Sequence, residues 1–220
     1  MAVNILTPCQ KKFLQLLGAE PHLRNSFYLT GGTALAGFYL RHRYSEDLDF
    51  FSESEIDLPA LDVFISRLKK TLAIKKIDFQ QAYNRNLFFL HIGDMVLKTE
   101  FTYFPFPRIE TGSIHNGVRI DSAADIAVNK LFTIYQRVTA RDYIDLYLMC
   151  KKYKFTIAQL LKLAKAKFDW HIDPIQLGTQ FIKAEEAKDY PRMIKELAPS
   201  TWHTFFRNQA KKLAPSILSS

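Results

Sequence analysis

Between Leu58 and Leu72 the apolar residues fall at Leu61, Phe64, Ile65, Leu68 and Leu72. That three-and-four spacing predicts a helix with one buried face. Thr7-Pro8 ahead of CQKKFLQLLG predicts an earlier helix, with a capping threonine, a proline in the first turn and a glycine at the end. Elsewhere the period shortens. SFYLT, from Ser26 to Thr30, predicts a short aromatic strand, and Asp47 to Phe51 a strand with alternating faces. Lys75 to Ala82, Leu87 to Ile92 and Met95 to Phe104 predict three more, and Gly93-Asp94 marks a hairpin turn between the last two. Gly31-Gly32 breaks the first strand, and TALAGFYLR after it has helical composition and spacing. FPFPRIE is a proline-broken loop. Beyond Ser122 the pattern is helical, in five or six helices. This predicts an α+β protein: a mixed α/β domain over residues 1–120 and a helical domain over 121–220.

Composition adds bounds. Apolar residues make up 48% and charged residues 24% of the 220, an ordinary globular mixture. No apolar run approaches the roughly 18 residues of a membrane span. The N-terminal residues lack the pattern of a signal peptide. Cys9 and Cys150 form no metal-ligand spacing and no disulfide framework, so a cytoplasmic setting is expected. The net charge is +8 and unevenly placed: residues 151–220 hold 13 Lys+Arg against 6 Asp+Glu, an excess of +7. A basic tail suits a polyanionic partner such as RNA, although scattered lysines are commonly just solvated helix faces. Trp170, Tyr190, Trp202, Phe205 and Phe206 in that tail are expected to form the core of a helical bundle rather than to stack on bases.

The chemistry concentrates in TGGTALAGFYLRHRYSEDLDFF, Thr30 to Phe51. A strand, two glycines and a helix start form a turn that lets an anion approach free backbone N–H groups. Thr33 adds a hydroxyl. Aspartates are disfavoured in strands. Asp47 and Asp49 alternate with Leu48 and Phe50, so both carboxylates face one way. Two close carboxylates repel unless a cation sits between them, and Mg²⁺ takes one or two carboxylates plus phosphate oxygens. The competing reading has Asp47 capping a turn and Asp49 paired with Arg43. Glu100 shares a strand face with Lys98 and stands either as a third acidic position or on a solvent-facing sheet edge. Lys130 and Arg137 share a helix face. Asp142 follows Thr139 at capping-box distance, and Arg141 and Asp145 are spaced for a surface ion pair.

Gly31-Gly32-Thr33-Ala-Leu, then His42-Arg43-x-Ser45-x-Asp47-x-Asp49-Phe-Phe, resembles the nucleotidyltransferase fold and, more narrowly, the AbiEii/AbiGii toxin family. The resemblance extends through Lys130 and Arg141-Asp142-x-x-Asp145-Leu146. It implies transfer of a nucleoside monophosphate from an NTP with release of pyrophosphate, dependent on Mg²⁺ or Mn²⁺. By resemblance, Asp47, Asp49 and Glu100 would hold the metal ions. Gly31, Gly32, Thr33, Arg43, Ser45 and Lys130 would meet the NTP, and Asp142 would serve as a base or orient Lys130. The implied acceptor is RNA, with tRNA favoured, and the implied partner a cognate antitoxin protein. A protein or small-molecule hydroxyl as acceptor, or an inactive nucleotide-binding module, are the alternatives.

Overall fold

A computed structural model describes residues 5–218. The chain divides into two compact units. The first comprises the residues up to Tyr39, Tyr44–Pro107 and Thr111–Ser122; the second comprises Leu40–Arg43, Arg108–Glu110 and the residues from Ala123 onward.

The first unit carries a mixed seven-stranded sheet. Its strands are β1 (Tyr28–Thr30), β2 (Leu48–Ser52), β3 (Ile74–Ala82), β4 (Arg85–Ile92), β5 (Met95–Tyr103), β6 (Ile114–His115) and β7 (Val118–Ile120), in the order β3-β4-β5-β2-β1-β7-β6. β2 lies centrally, antiparallel to β1 and parallel to β5. Its inward residues Leu48 and Phe50 are fully buried. The Phe50 ring stacks on Phe101 of β5 at 4.9 Å and meets Phe13 of helix α1 (Pro8–Ala19) at 6.0 Å. Each such side chain contributes about 1.5–3 kcal/mol by leaving water, which fixes the strand's register and hence the direction of its other face.

Helix α1 begins with the expected cap. The Thr7 hydroxyl accepts from the Gln10 N–H, and the Gln10 side chain accepts from the Thr7 N–H. Three differences from the sequence reading stand out here. Ser26 belongs to a short helix α2 (Pro21–Ser26) opened by Pro21, so β1 starts at Tyr28. The run after the glycines is an α-helical turn α3 (Gly31–Ala34) that widens into a π-helix over Leu35–Leu40 and stops at left-handed Arg41. β6 and β7, two and three residues long, were not expected. β7 is held by parallel pairing to β1, Tyr28↔Arg119 and Leu29↔Ile120, a long-range contact with no local signature. Helix α4 (Leu58–Thr71) buries the expected Leu61, Phe64, Ile65 and Leu68.

The second unit contains α5 (Ala123–Gln136), α6 (Ala140–Tyr153), α7 (Ile157–Phe168), α8 (Pro174–Ile182) and α9 (Pro199–Leu218), with a 3₁₀ turn at Lys183–Glu186. Trp202 and Phe206 are fully buried, and the Tyr143 ring packs on both at 5.9 and 5.0 Å. The core expectation fails for two of the tail aromatics. Trp170 is 57% and Tyr190 45% exposed, because Trp170 lies just past the end of α7 and Tyr190 outside the helices. No helix among the described residues is long and apolar enough to cross a membrane.

Candidate active site

In the first unit the glycine turn and the aspartates meet. β1 ends at Thr30, which pairs with Asp49 across the antiparallel ladder. The next residue, Gly31, therefore lies against the Asp49 side chain. It adopts φ +69°, and a Cβ there would fall 2.6 Å from Asp49 Oδ2. Only glycine gives both the left-handed turn and the space. Thr33, fully buried, donates its hydroxyl hydrogen to the Asp47 carbonyl. That bond ties the start of α3 to the residue preceding β2, so the Thr33 hydroxyl is used in placing Asp47. Gly32 and Ser45 are half-buried. The loop before Asp47 is clamped by Gln10, whose Nε2 donates to the carbonyls of Ser45 (3.0 Å) and Glu46 (2.9 Å). Gln10 was not expected to matter here. Its one signal in the sequence was a polar residue in line with the apolar Phe13, Leu14 and Leu17, and the structure buries it to 1% exposure.

Two cations face the carboxylates. Lys98 Nζ donates to Asp47 Oδ2 at 2.9 Å. Glu100 stands opposite Asp49 in the parallel β2–β5 pairing. It is 6% exposed and lies on an interior strand, so the solvent-facing edge reading is excluded. Its carboxylate accepts two bonds from Arg85, Nε to Oε1 at 2.6 Å and Nη2 to Oε2 at 2.7 Å, and one from the Thr102 hydroxyl at 2.9 Å. Burial alone would raise the Glu100 pKa, but these bonds outweigh it and hold the group below its ordinary value. Arg85 carried no sequence signal. Among the described residues no group of three acidic, His or Cys side chains gathers as a metal cage. The donors present, Asp47 and Asp49, are hard oxygens in the number that Mg²⁺ uses when phosphates complete its shell, so the pair fits such an ion.

In the second unit a buried charge cluster joins α5, α6 and the 40–43 segment. Asp145, 0% exposed, accepts from Arg43 Nε at 2.7 Å and Nη2 at 2.8 Å. Lys130 Nζ lies 2.7 Å from its Oδ2, and His42 Nε2 lies 2.7 Å from its Oδ1. Lys130 also donates to Asp142 Oδ1 at 2.6 Å, and Asp142 Oδ2 takes the Thr139 hydroxyl and Arg137 Nη2, the latter at 3.3 Å. Neither competing expectation holds. Thr139 makes no side-chain cap bond to the helix; its hydroxyl serves the Asp142 carboxylate instead. Asp145 is not in a surface pair with the exposed Arg141, because it is fully buried among Arg43, Lys130 and His42. Arg43 pairs with Asp145. Burial would raise the Asp145 and Asp142 pKa values, yet the adjacent Lys130, with Arg43 beside Asp145 as well, brings Asp145 well below and Asp142 below the ordinary 3.8. Lys130, penalised by burial, is nonetheless raised by Asp145 and Asp142.

These shifts set the pH response. Groups whose pKa is lower folded than unfolded stabilise the fold above the unfolded value and lose that contribution as pH falls through the folded one. Unfolding free energy from urea titrations should therefore change little between pH 7 and 5 and drop steeply below about 4. A loss already complete at pH 5 would contradict the assigned pairs.

A strand, a left-handed glycine, a helix and a returning strand that sets Asp49 against that glycine are the arrangement of a nucleotidyltransferase. The chain belongs to the nucleotidyl transferase AbiEii toxin family, described as a Type IV toxin–antitoxin system, whose family model matches residues 15–212. It is 31% identical over 193 residues to an uncharacterized protein of Aquifex aeolicus (strain VF5), covering 86% of this chain and 88% of that one. Its fold is similar to the crystal structure of a candidate nucleotidyltransferase from Helicobacter pylori (TM-score 0.62, 21% identity, 96% of this chain and 94% of that chain). It is also similar to the nucleotidyltransferase toxin MenT4 of Mycobacterium tuberculosis H37Rv (TM-score 0.54, 15% identity, 94% and 82%).

Proposed function

We propose that this nucleotidyltransferase moves a nucleoside monophosphate from an NTP to an RNA, with tRNA the favoured acceptor, as the toxin of a cytoplasmic toxin–antitoxin or phage-defence pair. One observation carries the reading: Gly31, the residue that opens the helix, lies directly against Asp49. A phosphate-accepting turn and a metal-binding carboxylate thus share one place. Asp47 and Asp49 would hold Mg²⁺ or Mn²⁺. Such an ion, when bound, neutralises charge on the phosphates and lowers the pKa of an oxygen bound to it. The protein's own contribution is positioning. The backbone at Gly31 and Gly32, with Ser45 nearby in the chain, receives the triphosphate. Thr33 and Gln10 fix the segment from Ser45 to Asp47. Lys98 sets Asp47. In the transfer, an acceptor hydroxyl oxygen bonds to the α-phosphorus, the bond from that phosphorus to the bridging oxygen breaks, pyrophosphate leaves, and the hydroxyl proton passes to solvent.

We assign Arg43, Lys130, Asp142 and Asp145 to holding the second unit together. Each is at most 8% exposed and already charge-paired within that unit, and a carboxylate held below its ordinary pKa is a weak base. RNA as acceptor is supported by the +7 excess in residues 151–220 and by the exposed rings of Trp170 and Tyr190 there, since exposed rings stack on unpaired bases. A cognate antitoxin protein is the expected partner. Incubation with total RNA, Mg²⁺ and each α-³²P-labelled NTP should label an RNA band, and Asp49→Asn should abolish the label while leaving the circular dichroism spectrum unchanged. Labelled protein or small molecule instead of RNA would move the acceptor to that class. Nucleotide binding without pyrophosphate release on any acceptor would make the chain a binding module.

A further inference from the structure

Three carboxylates stand at or beside β2 and β5, Asp47 just before β2, Asp49 on it and Glu100 on β5, and side-chain cations are bonded to two of them. Lys98 takes Asp47 and Arg85 takes Glu100. Those two cations offset two of the three carboxylate charges. The two pairs differ in kind. Lys98 makes a single bond between side chains that are both about one-third exposed. Arg85 makes a planar two-bond fork to a carboxylate that is 8% exposed and further held by Thr102, the geometry in which guanidinium pairing is strongest. The Arg85 side chain itself is 53% exposed.

We propose that Arg85 is a positioning residue that withholds Glu100 from the metal, so that the site accepts one divalent cation at Asp47 and Asp49 and has low affinity for it until phosphate oxygens arrive. This deepens the metal-dependent reading above and rests on it. With both Glu100 oxygens engaged by Arg85, its carboxylate has no fork left for an ion. The Arg85 charge, beside the residue opposite Asp49, repels a free divalent cation. A nucleoside triphosphate brings the missing oxygens and its own negative charge. Metal and nucleotide then bind together, and the protein avoids a standing metal load.

The test is Mn²⁺ binding to the full-length chain, followed by the electron paramagnetic resonance signal of free Mn²⁺, with and without a non-hydrolysable NTP. Without nucleotide, Arg85→Met should bind Mn²⁺ at least about tenfold more tightly than the unmodified chain, because a unit charge near the ion is removed. Arg85→Lys, which keeps the charge, should stay nearer the starting affinity. The double variant Arg85→Met with Glu100→Gln, which leaves no unpaired buried carboxylate, should return to the starting affinity and serves if the single variant folds poorly. Unchanged or weaker binding in Arg85→Met, with normal binding in the unmodified chain, overturns the role of Arg85 alone. No Mn²⁺ binding by the unmodified chain, even with the nucleotide, overturns the metal-dependent reading as well.

Discussion

Asp145→Ala should lower the unfolding free energy of the chain by about 3–5 kcal/mol, the range for removing one partner from a buried ion pair. Asp145 is the acceptor shared by Arg43, Lys130 and His42. Its loss removes the carboxylate that holds Arg43, itself 4% exposed, and leaves Lys130 with Asp142 as its acidic partner. Unfolding by urea, followed by tryptophan fluorescence, reports on this part of the protein, because both tryptophans lie in the second unit. A change below about 1 kcal/mol would mean that the cluster is hydrated in solution, as surface pairs of that worth are.

Gly31→Ala should reduce nucleotidyl transfer by about 10²-fold or more, the scale at which a shift of about 1 Å in a reacting group is felt. The left-handed backbone costs an alanine about 1–2 kcal/mol, and the new methyl would press on the Asp49 carboxylate. Gly93→Ala separates the two effects. Gly93 is also left-handed, at φ +58°, but a Cβ there meets nothing within 4 Å. It should lose comparable stability and keep its activity. Equal loss of activity in both variants would show that strain, not the displacement of Asp49, is responsible.

Local chemistry made the helices and longer strands legible. Thr7-Pro8 with Gln10, the periodic face of α4 and the Gly93-Asp94 turn each carry their structure in a few neighbouring residues. The approach of Gly31 to Asp49 was also readable, since turn, helix and alternation lie within one stretch. What escaped depends on distant partners. Arg85 and Glu100 are 15 residues apart and His42 and Asp145 are 103 apart, so no spacing rule links them. Asp145 looked like half of an i, i+4 surface pair because the sequence does not say which face of α6 turns inward. The strands β6 and β7 are too short to show a period and exist by pairing.

The chain enters the second unit three separate times, at Leu40–Arg43, at Arg108–Glu110 and from Ala123 onward. The two short visits are fastened by later residues. The His42 carbonyl accepts from the Ile194 and Lys195 N–H groups. The N–H groups of Ile109 and Glu110 donate to the Asp125 carboxylate, which Lys167 also holds at 2.6 Å. Neither unit is therefore a contiguous segment of the gene. Splitting the coding sequence after Ser122 would strand seven residues of the second unit on the wrong polypeptide, including the arginine that Asp145 requires. Recombination or domain shuffling at that point would break both products, which ties the inheritance of the helical unit to that of the sheet.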